Sequence, residues 1–390
     1  MEGICKVNKN IENIKSSVSI GLMEKAIELK NEYNDIISLA GGEPDYSTPK
    51  IIVEKAKNEL DKGNTHYAVG KGLLELRTKI KQKLYYENAI DVNVDEVIVT
   101  PGAKMAIYLA VCSVIEPGDE VLIPTPSWVS YCEIVRAVGG VPVQVALNYN
   151  NNYLIDDKIL ERYITDKTKM IIICSPNNPT GKVMSYSEWC AVEKVCIQND
   201  LTLVSDEIYE KIIYDGQKNI SPASISSLKD RTITVNGFSK AYAMTGWRIG
   251  YLVACKKYID VIYKLFSHTI TGVSPFIQEA AITALDCEED VQRMLYGYEK
   301  RRNMFMDGLN KIPGISVMAP QGAFYAWVKF ETLNEENIAT HLLEKVHIVG
   351  VPGMAYGDGN EQFMRFSFAN NEEELAEAIK RIESFMKMYI

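Results

Sequence analysis

A chain of 390 residues, 47% hydrophobic and 24% charged, has the composition of an ordinary soluble protein and is long enough for an α/β body with a second lobe. Its net charge of −9 disfavours nucleic acid and anionic lipid as partners. In so acidic a chain an anionic ligand needs a local positive site, which draws attention to single arginines and lysines in apolar segments.

The opening stretch, MEGICKVNKNIENIKSS, lacks the apolar core of a signal peptide, and residues 1–17 read as irregular. Between Val18 and Tyr33, Ile20, Met23, Ala26, Ile27 and Leu29 follow a helical period. IISLAGGEPDYSTP then reads as a short strand broken by Gly41, Gly42, Pro44 and Pro49, with helices to follow over Lys50–Lys62 and Gly72–Asn88. Seven short apolar runs come next: EVIVT (96–100), EVLIP (120–124), VPVQVAL (141–147), KMIIICS (169–175), LTLVS (201–205), TITVN (232–236) and GYLVAC (250–255). Runs of this kind, separated by helical patterns, predict buried strands of a mostly parallel sheet. Beyond about residue 285, amphipathic helices over 288–311 and 371–388 flank the short strands AFYAWVKF and FMRFSFA. They predict a smaller α+β lobe, which the N-terminal helix joins. The expected division is a large domain over 46–285 and a small one built from 1–45 and 286–390.

The eight cysteines (Cys5, Cys112, Cys132, Cys174, Cys190, Cys196, Cys255 and Cys287) form no CxxC pair and read as reduced packing residues of a cytoplasmic protein. The four histidines show no metal-ligand spacing, so no metal is expected. No run of about 18 apolar residues is present to span a membrane.

Six places carry chemistry. In TITVNGFSKAYAMTGWRIGY, Lys240 follows a strand end and Arg248 lies eight residues on. A lysine so placed has a depressed pKa and acts as a carbonyl-seeking amine, although a lone lysine in a polar turn is usually just solvated. In LTLVSDEIYEKIIY, a strand ends on Asp206, with Tyr209 three residues later. A carboxylate there faces the ligand crevice of a parallel sheet and suits the ring nitrogen of pyridoxal phosphate, with Tyr209 on the ring's 3′-oxygen. The plain alternative is a helix cap and a core tyrosine. Asn178 in SPNNPTG offers an amide to the same oxygen, or simply sits in a rigid Asn-Pro turn. Gly102, Ala103 and Lys104 open a helix after EVIVT, where backbone N–H groups suit a phosphate, without Walker spacing. Trp128 in PTPSWVSY stacks on a flat cofactor or packs in the core. Arg365, among the apolar residues of FMRFSFAN, has to meet an anion: a ligand carboxylate or an acidic residue of the chain.

Together with SLAGGEPDYSTP, THYAVGKGLLELR, QGAFYAWV and VGVPGMAYG, these strings resemble the fold-type I, class I/II aminotransferase family, in its branch of bacterial and archaeal aspartate aminotransferases. The resemblance runs from about Ser16 to the last helix. It implies a three-layer fold around the seven-stranded sheet, pyridoxal 5′-phosphate as cofactor, and amino-group transfer between an L-amino acid and a 2-oxo acid by ping-pong kinetics. Residue by residue, Lys240 matches the Schiff-base lysine and proton shuttle, Asp206 the pyridine partner, and Asn178 and Tyr209 the ring-oxygen partners. Trp128 matches the stacking aromatic, and Gly102, Ala103, Lys104 and Arg248 the phosphate cup. Arg365 and Gly42 match the contacts to the substrate α-carboxylate. Tyr67 matches a tyrosine that reaches the neighbouring subunit's phosphate, which implies a homodimer with shared sites.

The sequence also departs from the family. Gly237 stands where many relatives have a phosphate-binding serine, and the adjacent Ser239 is expected to point elsewhere. FSHTITGVSPFIQEAA lacks the second arginine that holds a distal carboxylate, and Lys15 in NIKSSVS matches a lysine that takes this task in the same branch. An aspartate-like substrate is expected. Aromatic, alanine-like or basic donors, a β-lyase or an amino-acid oxidase on the same scaffold, and a non-catalytic regulator are the alternatives.

Overall fold

The computed structural model describes residues 7–16, 21, 28, 35–333 and 335–389. The seven expected strands are all present: β2 (Val97–Thr100), β3 (Glu120–Thr125), β4 (Val141–Ala146), β5 (Thr168–Cys174), β6 (Thr202–Asp206), β7 (Thr232–Gly237) and β8 (Gly250–Val253). They form one sheet in the order β2-β8-β7-β6-β5-β3-β4. Neighbours are parallel except for β8, which runs antiparallel to both β2 and β7.

Alternation along the strands assigns the layers. On β5, Met170, Ile172 and Cys174 join one apolar cluster with the helices Ala103–Cys112, Ser130–Ala137 and Lys256–Thr269. Ile171 and Ile173 face the opposite way, against Trp189, Val192 and Val195 of the helix Tyr186–Gln198. Further along that second face, Val97, Val99, Tyr251 and Val253 pack with the helices Lys50–Asp61, Leu74–Asn88 and Pro275–Ala284. With both faces covered, the strands are nearly continuous apolar runs, and the fold is a three-layer α/β body.

The register sets where a ligand can sit. Cys174 pairs with Asp206, and Asp206 with Val235, so β5 and β6 end at one level and β7 runs two residues further, to Gly237. Because β8 runs backward, its first residue, Gly250, pairs with Gly237 and Thr100 at the far end of β7, two residues past the end of β6. Residues just before β8 and just after β2 are therefore delivered to the carboxyl edge of the sheet, the side on which open α/β sheets bind ligands.

A second sheet, antiparallel, has the order β12-β13-β10-β9, with β9 Ile315–Val317, β10 Tyr325–Phe330, β12 Val351–Pro352 and β13 Phe363–Ser367. Ile37–Ser38 (β1) pairs with Ile348–Val349 (β11). The helices Glu288–Leu309 and Glu372–Met386 flank this part, close to the expected ranges.

Two boundaries differ from expectation. The second helix starts at Leu74, not Gly72, because Gly72 has φ +104° and ends a turn. Within the stretch expected to be irregular, Lys9–Glu12 forms one helical turn, capped by Asn8 accepting from the Asn10 N–H. The helix expected over residues 18–33 lies outside the described residues, apart from Gly21 and Glu28.

Candidate active site

At the carboxyl edge of the large sheet lies a cavity of about 430 Å³, within the usual range for small-molecule sites. Gly42, Ala103, Lys104, Trp128, Asn178, Asp206, Tyr209, Lys240, Arg248 and Arg365 all line it. Ten of the thirteen residues singled out from sequence therefore meet in one place, drawn from segments spread from residue 42 to residue 365. Gly102 caps the helix behind Ala103. Lys15 and Tyr67 stand apart. Lys15 lines an adjoining recess of about 240 Å³ that shares Lys104 with the main cavity, and its backbone N–H donates to Glu133 at 3.0 Å. Tyr67 is 92% exposed on the outer surface.

Lys240 is partly buried, and its ammonium donates to the Gly42 carbonyl. Burial, reinforced by the nearby positive charge of Arg365, lowers its pKa to about 8. Across the cavity, Asp206 accepts from the Tyr131 hydroxyl at 2.7 Å and from the Ile208 N–H at 3.2 Å. Burial raises this carboxyl to about 6, and the bond from Tyr131 opposes the rise. A buried cation or ring N–H placed against Asp206 would keep it ionised.

The helix Ala103–Cys112 begins directly after Gly102, which has φ +83° and ψ 164°. A Cβ built on Gly102 would lie 2.7 Å from Arg248 Nη2, so glycine is required for the guanidinium to lie against this turn. Arg248 itself sits at φ +53° and donates to the Thr245 carbonyl at 2.9 Å. Burial and the Arg248 charge both lower the pKa of Lys104. A helix N-terminus, an arginine and a lysine thus converge on one end of the cavity, a donor set that fits a phosphate.

Arg365 on β13 is 3% exposed. Nη2 donates to the Ala40 carbonyl at 2.6 Å, Nη1 donates to Asn178 Oδ1 at 3.2 Å, and Nε has no partner. The guanidinium carbon lies 4.3 Å from the centre of the Tyr325 ring. Among the described residues no carboxylate pairs with it, so the alternative of a structural ion pair is not what the fold provides. A buried arginine satisfied only by neutral oxygens is a ready site for a ligand carboxylate.

Trp128 lies at the wall, with Lys104 Nζ 4.9 Å from its ring and Tyr131 edge-on at 5.4 Å. Tyr209 shares a 2.8 Å hydroxyl contact with Tyr325. Because Asn178 Oδ1 is used by Arg365, its Nδ2 is the end left to donate.

Several lining residues went unassigned in the sequence. Tyr131 sits one helical turn beyond Trp128 in PTPSWVSY, a spacing that puts both on one face. Tyr325 belongs to QGAFYAWV but carried no role. Ser239, unassigned in the sequence, is also among the residues lining the cavity. Gly237 has a packing reason, since a Cβ there would press on Gly250 Cα at 3.1 Å and the Ile249 carbonyl at 3.2 Å.

The sequence model of the family described as "Aminotransferase class I and II" matches residues 34–382. The chain is 39% identical over 386 residues to a probable aspartate/prephenate aminotransferase of Aquifex aeolicus, covering 97% of this chain and 98% of that one. It is 39% identical to the aspartate aminotransferase of Geobacillus stearothermophilus, covering 98% and 99%. It is 38% identical to aromatic-amino-acid aminotransferase 2 of Thermococcus litoralis, covering 94% and 95%. A solved aspartate aminotransferase from Thermus thermophilus with maleate superposes with a TM-score of 0.93 at 35% identity, covering 98% of this chain and 100% of that one.

Proposed function

The chain belongs to the class I and II aminotransferases, and from that premise we propose that it is a pyridoxal-phosphate transaminase favouring an aspartate-like donor, with its chemistry centred on Lys240. As a member of the family it transfers amino groups between amino acids and 2-oxo acids. The observation that carries the fuller reading is the convergence of a partly buried lysine, a buried aspartate and, among the described residues, an arginine without a carboxylate partner on one cavity.

The donor set fits the cofactor at every position. Gly102, Ala103, Lys104 and Arg248 would hold the phosphate, and Asp206 the ring nitrogen. Asn178 and Tyr209 would hold the ring oxygen, with Trp128 against the ring. Bound there, pyridoxal phosphate supplies a conjugated ring that takes up the electron pair left behind when a substrate loses its α-proton.

The rest of the work falls to the chain. Arg365 grips the substrate α-carboxylate, with Gly42 alongside, which fixes the α-carbon within reach of Lys240. Lys240 Nζ then moves the proton at that carbon, a role its lowered pKa suits because a neutral amine is needed near physiological pH. Asp206 would hold the ring nitrogen, and its carboxylate charge would favour the protonated form of that nitrogen. We assign residues 46–285 to a body and residues 1–45 with 286–390 to a lobe that closes over the substrate.

Arg365→Ala should raise the KM for every amino acid by roughly 10²-fold and leave the visible absorption of the bound cofactor in place. Unchanged steady-state kinetics would remove Arg365 from the substrate site.

Lys15 belongs to the proposal as the contact for a distal carboxylate, supported by the recess it shares with Lys104. A flexible ammonium is a less directional clamp than a guanidinium, so discrimination between acidic and neutral donors should be modest. In a panel of twenty amino acids against 2-oxoglutarate, oxaloacetate and pyruvate, Lys15→Ala should cut kcat/KM for aspartate and glutamate by about tenfold and spare alanine. An equal loss on all donors would exclude this role.

A homodimer with shared sites completes the proposal. Tyr67 in THYAVGKG points outward with most of its surface exposed, free to reach a second copy's phosphate end. Specific activity should fall on dilution in step with dimer dissociation measured by sedimentation. A monomer with full activity would end this part of the reading.

A further inference from the structure

Directly behind the cavity, the turn after β6 carries two more acids. Asp206 and Tyr209 line the cavity, whereas Glu207 and Glu210 face away from it and are almost wholly buried. Glu210 pairs with Lys83 of the helix Leu74–Asn88 and accepts from Asn236 Nδ2 at 2.6 Å. Lys83 also donates to Asn88 Oδ1 at 2.7 Å, and Asn88 Nδ2 donates in turn to Glu210 and to Ser221 Oγ, the latter at 2.8 Å. Glu207 accepts from Ser205 at 3.0 Å, from Asn219 at 2.9 Å, and from the Ser221 hydroxyl. Among the described residues, Lys83 is the one cation in ion-pair contact with either carboxylate.

Lys83 pairs with the buried Glu210 and, at 3.6 Å, with the more exposed Glu87, while among the described residues Glu207 has no cation in contact. Buried acids held in this way are a poor device for stability alone, since apolar packing of the same volume does as well or better. Their geometry offers a different use. Asn236 is the hinge of the arrangement: its Nδ2 serves Glu210 while its Oδ1 accepts from the Gly237 N–H at 2.7 Å, three residues before Lys240. One polar cluster therefore ties the turn bearing Asp206 and Tyr209 to the strand end that leads into Lys240.

We propose that Lys83, Glu207 and Glu210 are positioning residues that, through Asn236, fix the spacing of Asp206 and Tyr209 from Lys240. The inference rests on the reading of Asp206 and Lys240 as the cofactor's partners. Burial, with the adjacent Glu210 charge, raises Glu207 to about 7, whereas at Glu210 burial is outweighed by the Lys83 charge and the carboxyl is lowered; Glu87, the other acid against Lys83, also pairs with Lys211 at 3.0 Å.

The test compares the holoenzyme with Lys83→Met, Glu210→Gln and the double variant. The readouts are the pH midpoint of the bound cofactor's visible absorption, kcat, amino-acid KM and Tm. Each single change should move the midpoint by about half a unit or more and lower kcat roughly tenfold, with KM little altered. The double variant removes both charges together and should return the midpoint toward that of the wild type. Lower Tm with midpoint and kcat at wild-type values would overturn the proposal and leave the cluster merely structural. Glu210→Gln is isosteric and keeps the test available if Lys83→Met does not fold. A wild-type protein with no borohydride-reducible cofactor on Lys240 would overturn the underlying reading, and this inference with it.

Discussion

Lys240→Ala should lose the reducible covalent link to the cofactor and at least about 10⁴-fold of the transamination rate, because one amine serves as both anchor and proton carrier. Borohydride treatment of the wild type followed by peptide mapping should mark Lys240, and the variant should remain unmarked. The structure adds a pH dependence to this result. The Lys240 pKa is lowered to about 8, so the neutral amine gains population as pH rises through that range. Covalent uptake of pyridoxal phosphate by the apoprotein should accelerate from pH 7 to pH 9 and level off above it. A mark on another lysine, or an uptake rate indifferent to pH, would exclude Lys240 from the role.

Asp206→Asn should lower kcat by roughly 10²–10³-fold and disturb KM far less. The substitution keeps shape and volume but removes the charge that favours a protonated ring nitrogen. It should leave the covalent link at Lys240 intact, which separates an electronic defect from a failure to bind. The change also alters what Tyr131 meets, so Tyr131→Phe is the natural companion. That variant removes the 2.7 Å bond while sparing the carboxylate, and its loss should be much the smaller of the two. Wild-type kcat in Asp206→Asn would show that this carboxylate has no part in the chemistry.

Most of the cavity was legible in the sequence because its residues sit beside strand ends, in short strings whose geometry is locally determined. Asp206 closes β6, Gly102 and Ala103 follow β2, and Arg248 precedes β8. What was not legible depends on contacts between distant segments. Tyr131 meets Asp206 across 75 positions, and Arg365 meets the Ala40 carbonyl across 325. No local pattern encodes either. The charges of Glu207 and Glu210 were equally opaque. No local pattern in DEIYEK marks them, and contacts from Asn88, Asn219, Ser221 and Asn236 in other segments enclose them.

Arg365, Lys240, Arg248 and Lys104 share one cavity in a chain of net charge −9. Burial and the charges of Arg365 and Arg248 lower Lys240, and burial with the Arg248 charge lowers Lys104. Such a pocket draws in small anions of many kinds, and screening by salt reaches it less than it reaches the protein exterior. Sulfate and phosphate from the buffer are then rivals of both cofactor and substrate. Kinetic constants for this protein are properties of the enzyme and its electrolyte together, and comparison between laboratories requires the same anion at the same concentration.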